Sequence, residues 1–261
     1  MRPMTVCVVV VVSLLGAVDA RAQDDWPPPS QTQAPATDFG SADFLFGRPR
    51  GSVGVRGNWL FARAKSDWYS FVTDQLSLAR KDFNAPGFGT DVGISLSRRA
   101  DAVLGVEYNR SKKDSEYRDF VDNNRLPINQ TTRLSTVSLS GSVKFALVQR
   151  GLEVSRLAWV PKQVVPYVGG GGGALYYDLM QVGDFVDFRT SRIFPSTLTS
   201  TGWAPMAQAF AGVDVRVLKR LYVTLDGRYQ WSNATLGNDW VDFEPIDLNG
   251  FKLAAGASVI F

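Results

Sequence analysis

The sequence predicts an all-β fold, a closed barrel of eight antiparallel strands connected up and down. Three observations predict it. Bulky apolar residues alternate with polar or small ones in eight segments between residues 51 and 261, as in strands whose two faces meet different surroundings. The connections are long after segments one, three, five and seven and short after segments two and six. Aromatic residues concentrate near the segment ends.

The first four strands are predicted at about 51–63, 87–98, 102–110 and 133–147. In the fourth, Val137, Leu139 and Val143 share one face while serines occupy the other, which is the clearest alternation in the chain. Only Arg98 to Asp101 separates strands two and three, so we expect a tight turn there. The stretch 64–86 is polar and 111–132 is strongly charged, and we expect loops there, the second of them solvated.

The last four strands are predicted at about 164–178, 203–217, 221–232 and 251–261. Strand five contains five consecutive glycines, residues 169–173. Because no Gly-Lys-Ser/Thr sequence follows them, we interpret this run as backbone that bends or is closely approached, and not as a phosphate-binding loop. Residues 218–220 turn strand six into strand seven, while 179–202 and 233–247 are expected to form long loops.

The final strand indicates where the barrel lies. Its outward face consists of Phe251, Leu253, Ala255, Ala257, Val259 and Phe261. Such a face suits lipid, because a tilted strand crosses a bilayer in about 9 to 11 residues. The strand resembles the closing strand and assembly signal of bacterial outer-membrane β-barrels. Pro166-Tyr167, followed by the glycine run, also resembles a stretch of the small barrels similar to outer-membrane proteins A and W.

The resemblance implies an eight-stranded antiparallel up-and-down transmembrane β-barrel in the outer membrane of a Gram-negative bacterium. Its partners would be outer-membrane lipid and the barrel-assembly machinery, which would recognise Phe251, Leu253, Val259 and Phe261. In such barrels the periplasmic turns are short and the external loops long, so both chain ends are expected in the periplasm. Extracellular ligands would then meet the four long loops: 64–86, 111–132, 179–202 and 233–247.

The first 50 residues are expected to lie outside the barrel, which is assigned to 51–261. Residues 1–22 have the pattern of a cleaved secretory signal, with an apolar run from Val6 to Val18 and a small-x-small site at its end. Residues 23–50 begin with a Pro-rich polar stretch, which predicts a flexible periplasmic leader. The apolar group Phe39 and Phe44 to Phe46 either packs against the barrel mouth or continues the linker.

Composition excludes several classes of function. The chain has no histidine, and its single cysteine, Cys7, lies in the predicted signal. Catalysis by a histidine base, a histidine metal site and a disulfide are therefore excluded from the processed chain, and we expect no enzyme activity, no metal and no cofactor. A formal net charge of only +3 argues against a nucleic-acid partner.

Nine charged residues fall on the inward face of the predicted strands. They are Arg56, Asp91, Glu107, Lys144, Asp214, Arg216, Asp226, Arg228 and Lys252. Eight strands enclose a lumen just wide enough for side chains to fill, and a buried charge without a partner is costly. We therefore expect these residues to form a network of ion pairs, either as a locked polar interior or around a narrow gated passage.

The sequence is compatible with two functions. The first is a structural or surface-interaction role for a barrel with a largely plugged polar lumen. The second is a small porin-like barrel, similar to outer-membrane protein W, that passes small or hydrophobic compounds.

Overall fold

The computed structural model describes residues 44–122, 124–155, 158–187, 190 and 192–261. The predicted signal and most of the predicted leader lie outside these residues. The helices are α1 (Asp67–Gln75) and two short 3₁₀ helices, Arg80–Phe83 and Asn238–Trp240. The strands are β1 (Gly51–Ala62), β2 (Ala85–Ser95), β3 (Ala100–Val121), β4 (Pro127–Ala146), β5 (Gly151–Ser155), β6 (Ala158–Pro161), β7 (Val164–Asp187), β8 (Arg192–Arg216), β9 (Leu221–Ala234), β10 (Ile246–Asp247) and β11 (Gly250–Ile260).

Eight of these strands close into an antiparallel ring. The order is β1, β2, β3, β4, β7, β8, β9 and β11, and β11 pairs with β1 again. The closing register places Val259 opposite Val53 and Leu253 opposite Trp59. Every strand of the ring therefore has a hydrogen-bonded neighbour on both sides, which removes the exposed edges of an open sheet. The predicted eight-stranded antiparallel barrel is confirmed.

The side-chain alternation decides what each face of the ring presents. Val55 is 59% exposed on the outer face, whereas Lys252 is 3% exposed on the inner face of the neighbouring strand. The same division holds around the ring, so the outside is apolar and the turn-end half of the inside is polar. We call the exposed outer residues the outer belt; it includes Val53, Val55, Trp59, Phe88, Val92, Ile94, Leu104, Val106, Leu139, Val143, Val168, Trp203, Leu225, Trp231, Phe251, Leu253 and Val259.

The connections define two ends of the barrel. At one end lie the short β2–β3 and β8–β9 turns, the β5–β6 hairpin, residues 44–50 and Phe261. We call it the turn end. At the other end lie α1, the parts of β3, β4, β7 and β8 farthest from these turns, and residues 235–249. We call it the loop end. None of the helices that the structure describes has the length and apolar character needed to span a membrane.

The segments 111–132 and 179–202 do not form the loops that were predicted for them. Instead β3 pairs with β4 and β7 with β8 well beyond the barrel, and β4 pairs with β7 as far as Gln130 opposite Gly183. The alternation continues through these segments, with Tyr117 and Leu179 buried and charged residues exposed. Continued backbone pairing with one buried face is therefore more favourable than a solvated loop.

The segment 64–86 also differs from the loop predicted for it. It contains α1 and a 3₁₀ helix, and Trp68, Tyr69 and Val72 of α1 are buried. These three residues share one helical face, since they lie at i, i+1 and i+4. An amphipathic helix therefore packs within the loop end, where only polar loop had been expected.

Leu45 lies against the turn-end hairpin. Its backbone N–H donates to the carbonyl oxygen of Trp159 at 2.8 Å, and the Trp159 N–H donates back at 3.0 Å. Both side chains are buried, whereas Phe46 is exposed. Of the two alternatives for this apolar group, packing at the barrel mouth therefore describes Leu45; Phe39 lies outside the described residues.

The glycine run permits a close approach between β7 and β4. A Cβ atom at Gly171 would lie 2.1 Å from the Gly141 carbonyl oxygen, and one at Gly173 would lie 1.9 Å from that of Leu139. Both separations are far inside van der Waals contact, so no other residue fits at these positions without moving the backbone. The run is thus a structural feature of the barrel wall, as interpreted from the sequence.

Candidate functional site

The barrel interior contains a charged cluster at mid-height. Arg56 Nη1 contacts Asp91 Oδ1 at 2.9 Å, and Arg56 Nε lies 3.5 Å from Glu107 Oε2. Lys252 pairs with the other oxygen of Glu107 and donates to Gln230 Oε1 at 2.9 Å. Glu107 therefore lies between two cations, which offsets the cost of removing its charge from water.

A second cluster surrounds Arg228. Its Nη2 lies 3.4 Å from Asp226 Oδ2, and its Nη1 donates to Gln208 Oε1 at 3.2 Å. The guanidinium carbon lies 4.8 Å from the centre of the Phe210 ring, a cation–π geometry. The Tyr167 hydroxyl donates to Asp226 at 3.3 Å. Arg228 thus has partners on several sides although it is buried.

A third cluster lies nearer the turn end. Lys144 Nζ contacts Asp214 Oδ2 at 2.6 Å and lies 3.8 Å from the centre of the Tyr167 ring. Thr224 donates to the other oxygen of Asp214 at 3.0 Å. Arg216, the ninth residue of the predicted set, is half-buried at the end of β8, and its backbone N–H donates to the Gln163 carbonyl oxygen at 2.8 Å. The structure thus brings the following residues of the predicted set into ion pairs with one another: Arg56, Asp91, Glu107, Lys144, Asp214, Asp226, Arg228 and Lys252.

A further ion pair inside the barrel, Asp101 with Arg150, was not predicted from the sequence. Asp101 begins the inward face of β3, three steps of the alternation before Glu107 on the same face, so the period-two pattern would have identified it as inward. Arg150 precedes β5 and also donates to Ser95 Oγ at 3.4 Å. No local pattern predicts this contact, because the connection between β4 and β7 folds back over the mouth.

In the part of the chain that the structure describes, two small cavities lie between these side chains. One, of about 90 Å³, lies at the turn end beside Arg150 and Trp159, and the other, of about 60 Å³, lies at mid-barrel beside Arg56 and Asp226. Both are bordered by Ser52, Asp101, Lys144 and Ser258, so they adjoin each other. A pocket for a drug-sized ligand has about 300 Å³ or more, and neither cavity approaches that size.

A hydrophobic cluster fills the interior at the loop end. Trp68 of α1 is fully buried there, with its ring centre 5.8 Å from those of both Phe83 and Trp240 in edge-to-face contact. The inner faces of the ring strands contribute Leu175 and Met206. The predicted polar lumen is therefore polar only below this cluster, because the β1–β2 connection carries an apolar helix into the barrel.

Between the charges and this cluster lies an uncharged polar layer. Asn109 Nδ2 donates to Asn58 Oδ1 at 2.6 Å, and both residues are buried. Above it, the Tyr177 hydroxyl donates to the Thr235 carbonyl oxygen at 2.6 Å. In the hydrophobic cluster at the loop end, burial raises the pKa of the Tyr69 phenol above its usual range. The charge of Asp247 raises this pKa further, so Tyr69 remains neutral.

The described residues contain no group of three or more His, Cys, Asp or Glu side chains that would hold a metal ion. The acidic groups of the interior instead form ion pairs with Arg or Lys.

The fold and interior define a class of protein, the small eight-stranded antiparallel barrels with an apolar exterior. No protein-family model matches the chain, and no curated protein matches it. Among solved structures, it is similar to the outer membrane protein OprG from Pseudomonas aeruginosa (10% identity, TM-score 0.45, covering 83% of this chain and 99% of that one).

Two further similar structures are Ail, the attachment invasion locus protein of Yersinia pestis, and Neisserial surface protein A. Ail is 14% identical with a TM-score of 0.44, covering 82% of this chain and 100% of that one. Neisserial surface protein A is 13% identical with a TM-score of 0.42, covering 81% and 97%. The matched structures are small outer-membrane β-barrels, the class that the terminal strand resembles.

Proposed function

We propose that this chain is an outer-membrane β-barrel of a Gram-negative bacterium with a structural or surface-interaction role and a closed lumen. The observation that carries the proposal is that the distribution of apolar and charged residues is the reverse of that in a water-soluble protein. The outer belt is apolar, and charged residues such as Glu107 and Lys252 are buried inside. In water, an apolar surface that surrounds the whole ring would cause aggregation, whereas acyl chains solvate it.

The dimensions of the ring support a membrane location. β1, β2 and β11 contain 12, 11 and 11 residues, which matches the roughly 9 to 11 residues of a tilted membrane-crossing strand. Trp59, Trp203 and Trp231 are exposed on the outer face towards the loop end. Tryptophan prefers the boundary between acyl chains and water, so these residues mark one edge of the membrane.

The orientation follows from the lengths of the connections. Short turns face the periplasm in bacterial barrels, so we place the turn end, Phe44 and Phe261 there and the loop end outside. The barrel-assembly machinery would meet the outer face of β11, where Phe251, Leu253, Val259 and Phe261 are exposed. Extracellular partners would meet the extended β3–β4 and β7–β8 hairpins.

Three layers of contacts support a closed lumen. The Asp101–Arg150 pair lies at the turn end, the Arg56–Glu107–Lys252 cluster at mid-height, and the Trp68 cluster at the loop end. A passage would have to open all three. We also propose that the chain is not an enzyme, since it lacks histidine and its inward acidic groups are occupied by cations.

One observation favours the alternative, a porin-like barrel for small or hydrophobic compounds. The two cavities adjoin each other, so empty space extends from the turn end to mid-barrel. Movement of the Trp68 cluster and of the mid-height ion pairs would extend this space to the loop end.

Conductance in planar bilayers tests the two functions. We expect the purified full-length chain to give no steady current, and flotation of the same protein with lipid vesicles would show that it inserts. A steady open channel would overturn the closed lumen and favour the porin-like alternative. A protein that stays dissolved without detergent and migrates identically on gels with and without heating would overturn the membrane location itself.

A further inference from the structure

The two ends of the barrel differ in charge. Among the described residues at the turn end (44–52, 93–103, 143–165, 214–222 and 258–261), ten charged side chains are basic and three are acidic. Among those at the loop end (63–86, 109–136, 177–203 and 231–249), eleven are basic and fourteen acidic. The turn end is therefore strongly positive, although the whole chain has a formal net charge of only +3.

The cations over the mouth of the turn end are already engaged. Arg150 pairs with Asp101, Arg98 Nη2 lies 3.4 Å from Glu153 Oε2, and the Arg48 side chain donates to the Ser97 carbonyl oxygen. The carboxylates neutralise Arg150 and Arg98, while the carbonyl oxygen occupies a hydrogen-bond donor of Arg48. These contacts leave little capacity for an additional anion at the mouth.

Four cations on the outer rim are different. Arg50, Arg99, Lys162 and Arg220 are exposed and form no ion pair with any residue that the structure describes. We call them the turn-end rim. Their positions encircle the barrel, since they precede β1, connect β2 to β3, precede β7 and connect β8 to β9. The free positive charge is therefore distributed around the circumference.

The turn-end rim borders the apolar surface of the barrel. Leu218 is 63% exposed two residues from Arg220, and Leu96 and Leu147 are exposed in the neighbouring connections. Long basic side chains place their aliphatic stems along apolar surface while the charged group reaches the polar layer. A cation directly beyond a lipid-facing residue lies at the depth of phospholipid headgroups.

We propose that the turn-end rim binds the phosphate headgroups of anionic phospholipids in the leaflet at that end of the barrel. The inference rests on the proposed membrane location and names the lipid that this surface selects. Basic clusters beside a membrane-embedded segment attract anionic lipid. The acidic loop end does not cancel this attraction, because a belt about 25 Å tall separates the ends and charges are screened over about 8 Å at physiological salt.

A soluble polyanion is a less suitable partner. It would bind where cations converge, and the converging cations of the mouth have acidic or carbonyl partners. The four cations of the turn-end rim are instead distributed around the ring. This distribution suits many separate ligands, which is how lipids surround a barrel in a bilayer.

Electron spin resonance with spin-labelled lipids tests the proposal on the full-length chain in phosphatidylcholine vesicles. The measurement compares how strongly labelled phosphatidylglycerol and labelled phosphatidylcholine are immobilised at the protein surface. We expect phosphatidylglycerol to be preferred by roughly twofold or more, with the preference falling towards one at high salt.

The decisive variant replaces the rim: Arg50→Gln, Arg99→Gln, Lys162→Gln and Arg220→Gln together. Its matched control removes four exposed cations of the loop end: Lys65→Gln, Arg80→Gln, Lys81→Gln and Lys112→Gln. The rim variant should lose the preference for phosphatidylglycerol while the control retains it. Retention by the rim variant, or equal loss in both, would overturn the assignment.

The outcomes separate this inference from the proposed function. Immobilised lipid without headgroup preference would overturn the inference and leave the membrane barrel intact. No immobilised lipid of either kind would overturn both. Rim-dependent binding of soluble polyphosphate, without preference for phosphatidylglycerol, would also overturn the lipid assignment and identify the rim as a docking surface for soluble anions.

Discussion

Lys252 shows at the scale of single residues how the interior holds its charges. It is almost completely buried, pairs with Glu107 and donates to Gln230 at 2.9 Å. Glu107 is in turn 3.5 Å from Arg56. Removal of one member leaves a buried charge with fewer partners, and this costs more than the intact pair contributes to stability. The interior charges therefore stabilise the barrel only as a set.

Replacement of Lys252 tests this dependence. We expect Lys252→Met to destabilise the folded barrel by about 3–5 kcal/mol, because Glu107 loses its nearest cation. The double variant Lys252→Met/Glu107→Gln should recover part of the loss. The measurement is urea unfolding in lipid vesicles, followed by tryptophan fluorescence.

The control is Lys65→Met, which removes an exposed lysine at the loop end. Its effect should remain within about 0.5 kcal/mol, as for other surface substitutions. Equal stability of Lys252→Met and Lys65→Met would show that the buried pair does not contribute.

Gly171 and Gly172 offer a matched pair for testing the barrel wall. In Gly171→Ala the new Cβ would lie 2.1 Å from the Gly141 carbonyl oxygen, whereas in Gly172→Ala it would lie 3.2 Å from that of Met206. We expect Gly171→Ala to reduce the folded fraction strongly and Gly172→Ala to reduce it little. The heat-modifiable band on gels measures this fraction. Similar folded fractions would contradict the steric explanation.

At the scale of elements, the connection between β1 and β2 forms part of the barrel interior. α1 buries one face that includes Trp68 and Val72, while Phe71 on its other face is exposed. The cluster beneath it draws side chains from the helix, the ring strands and residues 236–248. These contacts join the loop end into one packed unit that rests on the polar interior.

Removal of the Trp68 ring should loosen this unit without opening the ring. We expect Trp68→Ala to cost about 3–5 kcal/mol locally, as for other buried tryptophans. Proteases should then cleave residues 64–84 faster in vesicles, while the heat-modifiable band remains. Phe71→Ala, on the exposed face of the same helix, is the control. Cleavage at the same rate in both variants would show that the buried ring does not hold the helix.

At the scale of the whole molecule, the barrel differs between its outside and its inside, and between its two ends. The outer belt is apolar around its circumference, and the two ends differ in charge and in the lengths of their connections. The belt favours insertion into a bilayer, while the connection lengths favour one orientation. The charge difference is the basis for the proposed binding of anionic phospholipid at the turn end.

Cysteine labelling on intact Gram-negative cells tests the orientation. Leu126→Cys at the loop end and Leu218→Cys at the turn end are both exposed positions, and Cys7 is the only native cysteine. A membrane-impermeant maleimide should label Leu126→Cys but not Leu218→Cys until the cells are lysed. The reverse pattern would invert the orientation.

The sequence alone determined the ring of strands and the faces on which the residues of the predicted strands lie. Alternation with a period of two is local, so each strand specifies its own faces, and Val55, Leu139 and Lys252 all lie as their positions predict. The short turn between β2 and β3 was equally local. The predicted signal and most of the leader fall outside the described residues and remain predictions.

Only the tertiary structure decided which inward residues meet and what fills the loop end. Glu107 and Lys252 are 145 positions apart, and Arg150 reaches Asp101 because a connection folds back over the mouth. The segments 111–132 and 179–202 were predicted as loops because polar or charged content does not reveal that an alternating face is buried. Contacts between distant segments depend on how strands close and connections fold, and no local pattern in the sequence contains that information.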